Sequence, residues 1–350
     1  PGVRIQPLPG SEDSSWARFR LERPADARRV TIEYFGELHH PLQAYGREQA
    51  RGFRSTRGLI AEQGVYLSGG SFWYPQFDSQ YMLNFELEVS MPEGWQAVSQ
   101  GRQIDTAGKI EGSADRAVSR WRSATPQEEI YLIAAPFTDY RRSLGRVEAQ
   151  VFLRDQDPKL AAKYLDATAK YIQMYETLLG AYPYRKFALV ENFWETGFGM
   201  PSFTLLGSKV IRLPFILNSS YPHEILHNWW GNGVYVDYTS GNWSEGLTAY
   251  LADHLIKEQQ GQAVPYRQQA LQKYSDYAAS SRDFALSEFT GRHSSASEAV
   301  GYGKSLMLMH MLRQELGDAA FILALQQFYE THRFRAASFA DLREAFERVS

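Results

Sequence analysis

Tyr221-Pro222-His223-Glu224-Ile225-Leu226-His227-Asn228-Trp229-Trp230-Gly231-Asn232 is the stretch on which the reading of this 350-residue chain turns. Ser219 and Ser220 precede it and can cap a helix, and Pro222 is tolerated in a first helical turn. On a helix, positions i and i+4 share a face, so His223 and His227 can address one metal ion. Glu224 sits beside them, within reach of a water at that metal. The arrangement is the one used for zinc-assisted hydrolysis. Only eight histidines occur in the chain. A chance His-Glu-x-x-His in such a composition is roughly a one-in-a-hundred event, so the motif carries weight by itself.

A catalytic zinc takes three protein ligands and keeps a fourth position open. The metzincin pattern would need Gly and His three and six residues after the second His, where this chain has Trp230 and Gly233. The other common source is a Glu on the next helix. Asn242-Trp243-Ser244-Glu245-Gly246-Leu247-Thr248-Ala249-Tyr250 places Glu245 in a first turn, where the helix dipole favours a carboxylate. Zinc (Zn2+) is therefore the expected cofactor, with His223, His227 and Glu245 as its metal ligands.

Composition narrows the classes further. Hydrophobic content is 44% and aromatic content 14%, which describes a folded globular chain. The net charge of −3 is spread without runs, so nucleic acid is not an expected partner. No apolar stretch approaches 18 residues, so no membrane span is expected. The absence of cysteine excludes disulfides and thiolate chemistry but leaves the compartment open, secreted and periplasmic settings included. Pro1 in place of Met suggests a processed or cut start, and the last helix suggests a chain that continues past Ser350.

The expected fold class is α+β, an N-terminal β-sandwich (1–142) followed by a mostly helical zinc domain with a small sheet (143–350). Val30, Ile32 and Tyr34 alternate with polar residues, as do Leu83, Phe85, Leu87 and Val89. Further strands are expected near 117–122 and 130–134. After Arg142 the pattern changes to a strand at 147–153 and a helix opened by Asp157-Pro158 and closed by Gly180. Strands at 187–190 and around 203–213 follow. Helices are then expected over the zinc motif, 244–260, 266–279, 304–316, 319–331 and 338–348.

His-Glu-Ile-Leu-His-Asn-Trp-Trp-Gly-Asn followed by Asn-Trp-Ser-Glu-Gly resembles the gluzincin aminopeptidases, the membrane alanyl aminopeptidase family that includes leukotriene hydrolase. The sandwich, Tyr182-Pro183-Tyr184, the zinc helices and a downstream Tyr-x-Lys occur in the family's order. The resemblance implies a thermolysin-like domain and the hydrolysis of a peptide or protein substrate. It assigns the zinc ligands to His223, His227 and Glu245, the general base to Glu224 and an oxyanion donor to Tyr302 of Val300-Gly301-Tyr302-Gly303-Lys304. Tyr302, between two flexible glycines, suits a site-facing position.

Two features depart from the family. Seventeen residues separate His227 from Glu245, one fewer than usual, which the loop 233–241 absorbs. The family's Gly-Ala-Met-Glu-Asn strand, whose Glu binds the substrate's free amine, corresponds here to Phe198-Gly199-Met200-Pro201-Ser202. Pro201 removes that carboxylate, while Gly199 and Met200 can still pair with an extended substrate. Glu191 and Glu195 are alternative amine anchors, or structural charges. The expected activity is a zinc peptidase, aminopeptidase-like by resemblance. An endopeptidase, a non-catalytic peptide-binding protein and hydrolysis of a non-peptide substrate such as an epoxide are the alternatives. The sequence does not set oligomeric state.

Overall fold

Two larger antiparallel sheets, beside two short two-stranded ones, form the N-terminal part of the chain, seen in a computed structural model that describes all residues except 1–3, 10–16, 27, 45–53, 78–81, 106–115 and 279–281. The four-stranded sheet runs Gly58–Ala61, Gly64–Leu67, Leu132–Ala135, Gln96–Val98; the three-stranded sheet runs Leu83–Pro92, Arg116–Gln127, Arg102–Asp105. Leu83–Pro92 alternates between half-buried and exposed residues, as its period of two requires. Its inward face meets the other sheet across a cluster of Leu67, Met91, Ala97, Leu132 and Ala134, with Leu87, Val89 and Trp95 packed on it. That is sandwich packing. The alternation at 30–34 does not make a strand: residues 28–38 are irregular, and Tyr34 and Phe35 are exposed. Periodicity there finds no neighbouring strand to pair with.

A five-stranded mixed sheet supports the second half, in the order Thr138–Leu144, Val147–Leu153, Lys186–Asn192, Phe203–Gly207, Gly197–Met200. The division expected after Arg142 falls inside its first strand. Lys186–Asn192 lies between parallel neighbours and is buried along its whole length, the burial expected of a central parallel strand. Gly197–Met200 is the far edge, antiparallel to Phe203–Gly207. The helix Pro158–Leu179 crosses between the second and third strands and is capped by Asp157, whose side chain accepts from the Leu160 N–H at 2.9 Å. Tyr164, Tyr171, Tyr175 and Leu179 face one core that also holds Tyr221, Trp229, Trp230, Trp243, Phe328 and Tyr329. The strand expected to reach residue 213 stops at Gly207 and gives way to the 3-10 turn Val210–Arg212.

The remaining helices hold two surprises. The helix begun at Ser244–Thr248 continues through a π turn, Ala249–His254, into Leu255–Gln259. A second helix begins at Ser295–Glu298, passes through the π turn Ala299–Lys304 and continues as Ser305–Leu316. Tyr302, just ahead of the helix expected from 304, therefore sits inside a helix. Gly246 and Gly301 are there for contact, not flexibility. A Cβ on Gly246 would meet Ser305 Oγ at 1.9 Å, and one on Gly301 would meet the Phe289 ring at 2.2 Å. Helices at Ala263–Tyr277, Asp318–His332 and Phe339–Glu347 complete the domain; Ala279, the end expected for the first of these, lies outside the described residues.

Candidate metal centre and active site

The motif helix is short, Ser220–Leu226, with His227 as its C-terminal cap residue. Ser219 stands at its N-terminus but does not cap it by side chain; its hydroxyl donates to the Phe215 carbonyl at 2.9 Å. The other end is closed by Asn228, whose amide donates to the carbonyls of Glu224 and Ile225 at 3.3 and 3.1 Å. Gly231, at φ 105°, then turns the chain so that its N–H reaches the Val234 carbonyl.

His223 and His227 remain on one face, with ring centroids 4.7 Å apart. His227 Nδ1 lies 2.9 Å from the Trp230 carbonyl, which only accepts, so Nδ1 carries the proton and Nε2 is free for a metal. His223 Nδ1 lies 3.0 Å from Asp253 Oδ2, with the same consequence. Both Nε2 atoms point at Glu245 Oε2, at 3.4 and 3.5 Å. These three residues form a potential metal-binding group, with ligand atoms within 4.8 Å of one another. Ligands about 2.0–2.1 Å from a tetrahedral zinc lie roughly 3.4 Å from each other, so the spacing fits that ion. Glu245 Oε2 is also buried with no hydrogen-bond partner, an atom that a cation would satisfy. Zinc suits the donor set of two imidazoles and one carboxylate.

Electrostatics agree. Burial pulls His223 down, but Asp253 and Glu245 outweigh it and hold the imidazole well above its ordinary range. Glu245 runs the other way: burial raises its carboxyl, and the two histidines more than reverse that. A buried group that pairs acids against imidazoles is a cation site in waiting. Asp253 belongs to it, although no motif in the sequence marks it. It lies eight residues beyond Glu245, about 80° off the same face of a plain α-helix; the π turn takes up one residue and realigns it.

Glu224 faces the edge strand. A Cβ on Gly199 would fall 2.5 Å from Glu224 Oε2 and 3.3 Å from His227 Cδ2, so only glycine lets the backbone come this close. Met200 is different: its side chain is buried in the core with Phe203 and Leu205, leaving only its backbone for a substrate. Tyr302 stacks near His223, ring centroids 6.2 Å apart and 18° from parallel. Burial, then the Glu245 charge, pushes its phenol well above the ordinary range, so it is a proton donor at neutral pH. A cavity of about 770 Å³ opens in front of these groups, lined among others by Phe198, His223, Glu224, Asp253 and Tyr302.

Pro201 and Ser202 form the tight turn between the last two strands, and Ser202 has φ 70°. Pro at the first central position and positive φ at the second describe a type II turn. Three polar contacts pin it: the Ser202 N–H donates to Asn228 Oδ1 at 2.7 Å, and Lys186 Nζ and the Gly101 N–H reach Ser202 Oγ at 2.8 and 3.2 Å. Neither alternative amine anchor lines the cavity. Glu191 is buried and occupied by Arg212, Ser208 and the Arg154 N–H at 2.6, 2.6 and 2.8 Å. Glu195 packs against Gly207 and accepts from the Lys209 N–H.

Known proteins resemble this chain in sequence and in fold. Aminopeptidase 2, mitochondrial, of Saccharomyces cerevisiae is 24% identical over 258 residues, 65% of this chain and 26% of that protein. Aminopeptidase N of Haemonchus contortus is 22% identical over 298 residues, 78% of this chain and 30% of that one. The chain thus spans between a quarter and a third of the length of these relatives. A two-domain M1 zinc metallopeptidase variant bound to L-arginine superposes with a TM-score of 0.68 at 16% identity, covering 99% of this chain and 80% of that one. An M1 zinc metallopeptidase from Deinococcus radiodurans gives 0.61 at 18% identity, covering 82% and 68%. Residues 218–350 match the peptidase family M1 domain, and the chain as a whole shares the fold of an M1 zinc metallopeptidase.

Proposed function

We propose that this protein is a zinc-dependent peptidase, aminopeptidase-like, whose catalytic unit is 143–350 and whose 1–142 sandwich forms a second domain beside it. The observation that carries this is the convergence of both Nε2 atoms and Glu245 Oε2 at tetrahedral spacing, with Glu224 and Tyr302 on either side. The kinship to leukotriene hydrolase inferred from the motif belongs to the same proposal.

Zinc held by His223, His227 and Glu245 would supply a Lewis acid and make a water acidic enough to lose a proton near neutral pH. The chain's own residues do the rest. Gly197–Met200, unpaired on its outer side among the described residues, receives an extended peptide as an added strand. Gly199 lets that backbone lie against Glu224. The Glu224 carboxylate takes the proton of the attacking water and passes it to the leaving amine. Tyr302 donates its phenol hydrogen to the carbonyl oxygen as that oxygen gains charge, an interaction stronger in the transition state than before it.

An endopeptidase is the second reading, and one observation favours it: position 201 is a buried turn proline, so no carboxylate waits at the end of the substrate strand. Matched peptides with free and acetylated N-termini separate the two. Cleavage of the free-amine peptide alone supports an aminopeptidase; equal cleavage supports the endopeptidase. Cleavage of neither by the zinc-loaded chain, or cleavage unchanged in Glu224→Gln, rejects the catalytic proposal.

A further inference from the structure

A second cleft, of about 820 Å³, lies between the three-stranded sheet, the Thr138–Leu144/Val147–Leu153 hairpin and residues 183–186. Its wall gathers Arg102, Arg122, Arg141, Arg146, Arg185 and Lys186 against a single lining carboxylate, Glu148. That local excess sits in a chain whose net charge is −3. Arg122 leans on Glu86, Arg146 on Glu176, and Arg141 on Asp139 and Glu148, yet all three side chains stay 31–45% exposed. Arg102 and Arg185 have no acidic partner among the described residues. One sign of charge in a concave wall focuses the field and concentrates counter-ions. Guanidinium forks match oxyanion geometry, and the one ring in the wall, Tyr184, is buried, which leaves no platform for a nucleobase.

The floor of this cleft is tied by hydrogen bonds to the hairpin beside the candidate site. Lys186 is 1% exposed, and among the described residues its Nζ forms no ion pair: it donates to the Ser202 carbonyl and hydroxyl at 3.1 and 2.8 Å and sits 5.2 and 5.1 Å from the Trp121 and Phe203 rings. Burial pulls its ammonium well below the ordinary range. Ser202 is the turn of the substrate hairpin, and through its N–H it holds Asn228, the neighbour of His227. The turn thus joins Lys186 and Gly101 of this cleft to Asn228 of the motif helix.

We propose that the cleft is an effector site for a tetrahedral oxyanion, phosphate or sulfate, free or as an ester, and that its occupancy is passed to the substrate strand through Lys186 and Ser202. An anion over the cleft floor favours the charged ammonium and tightens its hold on the turn. The site itself stands without the peptidase reading; only its kinetic effect rests on that reading.

Titration calorimetry of the 350-residue chain with inorganic sulfate, and separately with phosphate, against chloride at equal ionic strength tests the site. Saturable one-to-one binding is expected, weakened at least about tenfold in Arg102→Ala/Arg185→Ala and less in Arg102→Lys/Arg185→Lys, which keeps the charge but loses the forks. Absence of saturable binding, or equal binding in the alanine pair, overturns the site; an unchanged thermal midpoint certifies that the variant is folded. For the coupling, sulfate should shift KM for a peptide at least about fivefold in the unaltered chain and not in Lys186→Met. Proven binding with KM unmoved overturns the coupling. Should no peptide be cleaved, calorimetry still decides the site, and the loss falls on the peptidase proposal alone.

Discussion

Replacing Gly199 by alanine tests the catalytic geometry most directly. Gly199 is not among the positive-φ glycines and pairs in register with Thr204, so alanine adopts its backbone without strain. The new Cβ meets Glu224 Oε2 at 2.5 Å, His227 Cδ2 at 3.3 Å and His227 Cβ at 3.5 Å. Ordinary contact begins near 3.4 Å, so the carboxylate must withdraw by about 0.9 Å while His227 gives by a few tenths at most. The nearest atom is the end of a flexible side chain, so the base moves and the fold does not. A base misplaced by about 1 Å costs on the order of 100-fold, or about 2.7 kcal/mol on the barrier. Stability should hold or rise, because alanine at a compatible glycine position adds about 0.4–1 kcal/mol by restricting the unfolded chain. Steady-state kinetics on a short peptide, metal analysis and thermal unfolding of the same preparations supply the readouts. The expectation is a kcat near one-hundredth, stoichiometric zinc and an undiminished midpoint. A kcat within about threefold of the unaltered chain, with zinc in place, would refute the assignment of Glu224 as base at this position.

Tyr302→Phe keeps the ring beside His223 and removes only the donor, so kcat should fall about 10²–10³-fold with KM within a factor of two; a larger change in KM than in kcat would point to ground-state binding instead. Asp253→Asn leaves the metal ligands intact but loosens the orientation of His223, and zinc affinity measured by chelator competition should drop about 10–100-fold. His254 supplies a pH dependence away from the reaction. It is 1% exposed, stacks on Tyr250, faces His310, accepts from Arg267 at 2.8 Å and has Glu258 at 3.8 Å. Burial lowers it from 6.5 to about 4, against the Glu258 charge. A depressed folded-state value means that its contribution is present above pH 6.5 and is lost as the pH falls towards 4, at most about 3 kcal/mol. Urea unfolding at pH 7 and pH 4.5 should show that loss in the unaltered chain and a smaller one in His254→Gln; equal losses would remove His254 from the account.

What a sequence discloses follows from which constraints leave a residue pattern. Two imidazoles on one metal need i and i+4, and a third ligand at a helix start needs a first-turn acid, so the grouping of His223, His227 and Glu245 is legible in the sequence. The helix Pro158–Leu179 is legible because Asp157, Pro158 and the buried stripe agree. The π turns are not. Each adds one residue to a helix without any composition of its own, yet one aligns Asp253 with Glu245 and the other carries Tyr302. Gly301 and Gly303 mislead in the same place: glycine reads as a breaker, whereas Gly301 is a packing contact whose partner, Phe289, lies outside its helix. At 30–34 the mismatch is the reverse, since alternation predicts a strand only where another strand is available to bond it.

Pro201 changes meaning most between sequence and structure. In the sequence it is a lost carboxylate at the end of a substrate strand. In the fold it is the first central residue of a buried turn whose second, Ser202, holds a left-handed φ that costs a non-glycine residue on the order of 1–3 kcal/mol. Such a conformation persists only where its surroundings over-determine it, and here Lys186, Gly101 and Asn228 all bond the same residue. Asn228 in turn caps the motif helix through the Glu224 and Ile225 carbonyls. The turn therefore fixes the distance between the edge strand Gly197–Met200 and the motif helix, the distance that brings Gly199 against Glu224. A carboxylate at 201 would be buried in that turn, where desolvation opposes its charge. Recognition of a substrate's amine, where it occurs, has to come from the open cavity and not from this hairpin.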